Sequence, residues 1–377
     1  MAINKVVYRG TTLFDITGDT VTSEALAEGV TAFSSSGALI TGTGSGFTSS
    51  SAGGTQIPGI NKIVFGGRTL VDLSVVTVTP ETLLEGKTAH SANGALIVGT
   101  AAEKRILTLD ESTWEEISYA SENGLASSMW AVGDRKKITL NGTVGTLALS
   151  NYETYVYIIG FDHNGATNTI DFGTFKTTAS GGKDVALIDS AYGTSKTDGT
   201  KYFNMNHSSN TNAGGWKGCD LRYDILGSTH AKGENANATT IANPVADTLM
   251  AALPSELRAV LKPMTIYTDN VADFTNDVAS NVTSTVDYLP LLAEWEIFGA
   301  KTYANAAEQN YQAQYAYFLA GNSKRKYRHS ATSSTANWWV RSPRNDNPSA
   351  FCCVQTSGTA FANAARLSDS LAPIFRV

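Results

Sequence analysis

Trp338-Trp-Val-Arg-Ser-Pro343 begins the last forty residues of the chain, where the pattern of the fold is clearest. From there to Val377 apolar residues alternate with small polar ones and glycine, as in short strands joined by loops. Cys352 and Cys353 are adjacent, so on a strand they point to opposite faces. One is expected in the core and the other at the surface, and the pair suits neither a mutual bridge nor chelation. Upstream, Leu291 to Phe298 and Gln312 to Leu319 are apolar, aromatic segments. Asp247 to Leu253 and Ser255 to Leu261 read as helical turns punctuated by Pro254, and Trp216 to Leu226 as a further helix. Tyr155 to Ile159 is a short apolar strand, and Lys136 to Gly142 a strand ending in a turn. Ser112-Thr-Trp-Glu115 offers a capping box for a helix from Trp114 to Glu122, stopped near Asn123-Gly124. Helices and scattered strands without a βαβ rhythm define an α+β class.

The first hundred residues carry an internal repeat. Gly10-Thr-Thr-Leu-Phe-Asp15 recurs as Gly67-Arg-Thr-Leu-Val-Asp72, an offset of 57 residues, and Gly37-Ala-Leu-Ile40 recurs as Gly94-Ala-Leu-Ile97. Each copy reads as a strand, a short helix (from Ser23, and from Pro80) and a hairpin turning at Ser36-Gly37 or Asn93-Gly94. Units this small and polar hardly bury a core alone. Each is expected to complete one with copies from other chains, which implies an oligomer; the alternative is that the two copies pack on each other within one chain. The expected organisation is repeat 1 over residues 1–44, a Gly/Ser/Thr linker over 45–60, repeat 2 over 61–101 and a large domain over 104–377.

Composition narrows the function. Hydrophobic residues make up 42% of the chain, enough for folded cores, while charged residues are only 16%, below the roughly 25% of ordinary soluble domains. Net charge is -6 and the densest basic run is Lys324-Arg-Lys-Tyr-Arg-His329, read as a solvated loop or subunit contact. No broad positive face for nucleic acid is expected. The N-terminus lacks a signal-type apolar region and no segment is long and apolar enough to insert in a membrane. Three cysteines, Cys219, Cys352 and Cys353, do not make a disulfide framework.

Catalytic signatures are sparse. The five histidines show no metal-type spacing. Asp162-His163-Asn164, directly after a strand, is the best candidate for polar chemistry, with an Asx-rich turn as its plainer reading. Glu294 and Glu296 share a face only on a strand, and are read as structural or surface residues. Most of the tryptophans, Trp114, Trp130, Trp216, Trp295, Trp338 and Trp339, are expected in the core.

The opening motif resembles that of C-type-lectin-fold domains in phage and prophage tail proteins, which are similar to the variable proteins of diversity-generating retroelements. Matching residues are Trp338, Trp339, Arg341, Ser342, Pro343, Gly358, Pro373 and Phe375, with Trp130-Ala-Val-Gly-Asp134, Gly214-Gly-Trp216 and Leu253-Pro-Ser-Glu-Leu-Arg258 upstream. Ala372 stands where the family carries Arg. The repeats likewise resemble those placed ahead of such domains in tail fibres. The resemblance implies a C-type-lectin-like domain preceded by small β-rich tail-fibre repeats. It also implies a receptor-binding protein of a virion tail, made in the host cytoplasm, with no enzymatic activity, cofactor or metal. Its partners would be a host-cell surface protein or glycan, other tail proteins through the repeats, and two further copies in a homotrimer. Ligand-binding, variable-type positions carried over are Arg344, Asp346, Asn347, Ser349, Ala350, Phe351 and Cys353, then Phe361, Ala362, Asn363, Ala364, Arg366, Leu367 and Asp369. The alternatives are a glycan-cleaving tailspike, an enzyme resembling formylglycine-generating ones, or a bacterial surface adhesin.

Overall fold

Asp15 and Asp72 end the first hairpin of their repeats in the same way. Each Oδ1 accepts from the backbone N–H and the hydroxyl two residues on, Thr17 in one copy and Ser74 in the other. The side chain thereby imposes an Asx turn. The computed structural model describes residues 3–8, 11–26, 28–44, 62–65, 68–101, 107–178, 181–274 and 276–377. The 45–60 linker and the expected domain start at Lys104 lie outside these. The chain divides into two units, Met1–Ile106 and Leu107–Val377.

In the first unit each copy pairs two hairpins: Lys5–Tyr8 with Thr11–Asp15 and Thr31–Phe33 with Leu39–Thr41, then Lys62–Phe65 with Arg68–Asp72 and Thr88–His90 with Leu96–Val98. Gly37 and Gly94 take φ of +80° and +79° at the tight turns, where a Cβ would be strained. Pro80–Thr82 forms a single 3-10 turn, shorter than the helix expected there. The copies share one core, Phe14, Ile16, Val21, Leu26 and Ala32 from the first against Leu73, Val76, Val78, Leu83, Ala89 and Ile97 from the second. The join is close to two-fold. Thr77 N–H donates to Thr31 O at 3.2 Å, and Thr20 N–H to Thr88 O at 3.3 Å, with Leu26 bridging to its counterpart Leu83. The expectation that each copy needs other chains to close its core is thereby corrected: two half-cores close each other inside one chain.

The second unit is built on a four-stranded antiparallel sheet in the order Ile374–Arg376, Ile170–Lys176, Leu147–Phe161, Arg135–Val144. Helix Trp114–Glu122 sets Trp114 edge-on to Phe172 and Phe375, at 5.6 and 6.0 Å. Its capping box uses Thr113 and Glu116, one residue later than the sequence suggested. Ser112 instead turns inward and donates to Thr108 O. Arg135–Val144 runs on through Gly142 and turns at Gly145, because the register with Leu147–Phe161 continues to Val144–Leu147. The expected Trp216 to Leu226 helix breaks at Cys219 into Gly215–Gly218 and a wide turn Leu221–Ile225.

A second, three-stranded antiparallel sheet holds Trp338–Pro343, Ala350–Val354 and Ala360–Ala364 in that order. The basic run is also part of the scaffold: Lys326–Arg328 is a strand, and buried Lys326 donates to Thr174 O at 2.8 Å. Burial pulls that ammonium down to about 8. The reading of this run as a solvated loop is corrected accordingly. The fold is a mixture of strands and short helices, an α+β architecture.

Candidate functional site

Every residue of Trp338–Pro343 is buried. Trp338 Nε1 donates to Lys324 O at 3.0 Å and Trp339 Nε1 to Phe203 O at 2.7 Å, so each indole packs without leaving its N–H unpaired. Arg341 grips Glu296 with two hydrogen bonds of 2.6 and 2.7 Å and also donates to Leu291 O and Thr268 Oγ1. Burial alone would raise the Glu296 carboxyl, but the guanidinium outweighs it and holds the group below its ordinary value. Ser342 donates to Glu308 at 2.7 Å, and burial pushes that carboxyl up to about 7. Glu294 accepts from the backbone N–H groups of Thr302, Tyr303 and Ala304. Both glutamates of the Glu294–Phe298 helix are therefore structural.

The middle strand, Ala350–Val354, is buried on both faces. Cys352 and Cys353 are thus both interior, with thiols pushed well above their ordinary range by burial, which corrects the expected split between core and surface. Ala350, Phe351 and Cys353 were expected to touch a ligand, and so was Asp369. All four are buried and belong to the frame instead. Burial raises Asp369 to about 7, and its carboxylate accepts from Asn363 Nδ2.

The remaining candidates reach the surface. Asp346, Phe361 and Arg366 are exposed, while Arg344, Asn347, Ser349, Ala362, Asn363, Ala364 and Leu367 are half-buried. Arg344 lies over the Tyr303 ring at 5.0 Å and pairs with Asp346. Asn347 Oδ1 accepts from the Ser349 N–H and hydroxyl, so those two side chains close their own turn.

Two buried asparagines hold these segments in place. Asn212 Nδ2 donates to the carbonyls of Arg344, Asn347 and Ala350 at 2.8–2.9 Å, and its Oδ1 accepts from Asp273 N–H at 3.1 Å. Asn204 Nδ2 donates to the carbonyls of Lys196, Asn206 and Arg366. Both staples grip the loops by backbone carbonyls, which every residue supplies. The loop path is thereby fixed with little dependence on which side chains the loop presents.

A neighbouring loop shares this surface and was missed from the sequence. Asn276 N–H donates to Asn345 O at 3.1 Å, and Asp277 accepts from Asn345 Nδ2 at 2.8 Å and from Lys301 at 2.6 Å. Phe274 is 55% exposed on this loop and Val271 47%. The signal was present as an apolar residue inside the Asx-rich stretch from Asp269 to Asp277.

Asp162-His163-Asn164 is a turn. Asp162 Oδ1 accepts from Thr169 N–H at 2.9 Å, and the His163 ring stacks on Tyr315 at 3.5 Å. A groove of about 670 Å³ is lined by Asp110, Trp114, Lys137, Glu153 and Glu256 among others, and by none of the candidate positions. Among the described residues, no three His, Cys, Asp or Glu side chains gather to hold a metal ion, and no helix is long and apolar enough to cross a membrane.

No curated protein and no solved structure matches the chain. Residues 184–377 match the family described as "Domain of unknown function (DUF6273)". The matched stretch takes in the whole Trp338–Ala364 sheet together with Asn204 and Asn212. It covers slightly more than half of the sequence, and the chain belongs to this DUF6273 family.

Proposed function

We propose that this chain is a receptor-binding subunit of a phage tail fibre. In this reading a C-type-lectin-type domain presents the Arg344–Ser349 turn and the Phe361–Leu367 segment to a host-cell surface protein or glycan. The observation that carries the reading is the pair of asparagine staples. The staples, and the backbone ladder that holds the Ala360–Ala364 edge strand, fix these segments through main-chain groups, so the side chains of Arg344, Asp346, Phe361, Ala362 and Arg366 are released from holding the fold. Such positions are free to change with the ligand, as retroelement-diversified positions must. Phe274 and Arg344 supply the residue types, aromatic and arginine, that dominate binding energy at protein surfaces. The repeats would join the fibre and other tail proteins, and trimerisation would turn weak contacts into avidity. The thiols, buried and held protonated, offer no nucleophile for a formylglycine-type reaction.

The test is adsorption of the fluorescently labelled chain to a panel of bacterial strains, read by flow cytometry. The wild type is expected to label some strains, and Arg344→Ala/Arg366→Ala to lose at least about tenfold of that signal at unchanged Tm. Protease or periodate treatment of the cells then separates a protein receptor from a glycan. Equal labelling by both forms would refute the assignment. A reverse-transcriptase gene beside the coding sequence, with a template repeat differing at adenines, would establish diversification.

A further inference from the structure

His207 sits directly beneath the Asn204 staple and is itself buried. Its Nδ1 lies 2.7 Å from Asn204 Oδ1. The Asn204 amide nitrogen is already committed to the carbonyls of Lys196, Asn206 and Arg366. Asn204 Oδ1 is therefore the acceptor and the imidazole must carry its proton on Nδ1. That leaves Nε2 of the neutral ring as a bare lone pair, buried and without a hydrogen-bond partner. It faces Asp224 Oδ2 across 3.9 Å, a gap that two acceptors keep because neither can donate.

The charged and titratable groups around the ring are few. Asp220 accepts from the His207 backbone N–H at 2.8 Å and is paired with Lys232. Asp224 is paired through its other oxygen with half-exposed Lys201 at 2.8 Å and touches the Tyr223 hydroxyl.

We propose that His207 is a proton-operated latch under the Arg366 limb of the display face: a proton taken from solvent stays on Nε2 as an N–H that hydrogen-bonds to the Asp224 carboxylate, and the imidazolium Nδ1–H tightens the Asn204 staple. Asp224 swings toward the ring and Lys201 returns to water. The Nδ1–H···Oδ1 bond becomes charge-assisted and stronger. The polarised Asn204 amide then draws in the Arg366 carbonyl, which at 3.4 Å is the longest of its three contacts. Burial lowers the ring below its ordinary value of 6.5, against the pull of Asp220 and Asp224, so the latch closes on the acid side of neutrality. Because the folded ring resists protonation, this group's contribution to global stability is present above pH 6.5 and lost as pH falls through its folded value. Local tightening and global stability therefore move in opposite directions.

The consequence for ligand retention rests on the receptor-binding reading, but the latch does not, and its test uses no receptor. In the full chain, the His207 ring and the Leu367 amide, which shares a peptide group with the Arg366 carbonyl, are followed by NMR as pH is lowered. Leu367 is expected to shift with the midpoint of His207. Asp224→Asn is expected to lower that midpoint by about one unit, and Asn204→Ala to leave His207 titrating while Leu367 no longer follows. A Leu367 amide indifferent to the His207 titration, or a midpoint unchanged in Asp224→Asn, overturns the proposal. If Asn204→Ala does not fold, the wild type and Asp224→Asn decide it. Equal cell labelling in the Arg344/Arg366 test, by contrast, would refute the receptor-binding reading and leave this result untouched.

Discussion

Arg341 and Arg344 belong to one short segment and do opposite things. Arg341 is fully buried in a bidentate pair with Glu296, so Arg341→Ala strands a carboxylate in the interior. The expected cost is about 3–5 kcal/mol in denaturant unfolding. Arg344 is half-exposed, and its pair with Asp346 stands in solvent. Arg344→Ala is expected to stay within about 1 kcal/mol of the wild type in the same measurement. Glu308 gives a pH prediction. Its ordinary value of 4.5 is raised to about 7 by burial, so the folded state holds a proton that the unfolded chain releases. This group's stabilisation is complete below about pH 4.5 and is lost as pH rises through about 7. Glu308→Gln is therefore expected to gain Tm relative to the wild type as pH goes from 5 to 7.5 (about the span between those values). A constant Tm difference would place the proton elsewhere. The frame residues were legible in the sequence because Trp338, Trp339, Arg341 and Pro343 form a recognisable pattern. Asn204 and Asn212 were not. A lone asparagine reads as surface, and their partners lie far along the chain, up to 162 residues away for Asn204 and 138 for Asn212.

Elements succeed or fail by their ends and by what covers their faces. The Trp114–Glu122 helix was visible from its capping signal and its Asn123-Gly124 stop, but its cap was placed one residue early because Ser112 and Thr113 both suit the role. The backbone decides: Thr113 accepts from Glu116 N–H while Ser112 is buried against Thr108 O. Thr113→Ala is expected to cost about 1 kcal/mol in a denaturant melt. The Ala350–Val354 strand shows the opposite failure. Ala-Phe-Cys-Cys-Val is a near-continuous apolar run, the signature of a strand covered on both sides. Carrying variable positions over by resemblance put Ala350, Phe351 and Cys353 at the surface against that signature. At the neighbouring turn, Asn212→Ala removes donors from three carbonyls together. Amide hydrogen exchange over residues 344–350 is expected to speed by at least about tenfold, whereas Arg344→Ala leaves it unchanged.

At the scale of the whole molecule, the repeats show why oligomeric state was hard to read. Each copy alone lacks a core, but the sequence does not say whether a neighbour or another chain completes it. Phe14, Ile16 and Leu26 packing against Leu73, Val76 and Leu83 answers that for one chain. The pseudo-symmetry is broken where buried Asp19 pairs with His90 at 3.1 Å while their counterparts at the same offset, Val76 and Phe33, are apolar. A copy paired with itself would face a carboxylate with an apolar partner, so this contact favours pairing of the unlike copies. The second unit divides its labour similarly, between a buried sheet that carries stability and loops held by their backbone. On the proposed receptor-binding reading, Arg344, Asp346, Phe361, Ala362 and Arg366 are expected to be dispensable for folding and needed for binding. The most direct measurement is a library randomised at those positions, scored in parallel for folded, protease-resistant protein and for adsorption to cells that the wild type labels. Most members are expected to fold and few to adsorb. A library in which most members fail to fold, or in which adsorption persists whatever occupies those positions, would contradict it.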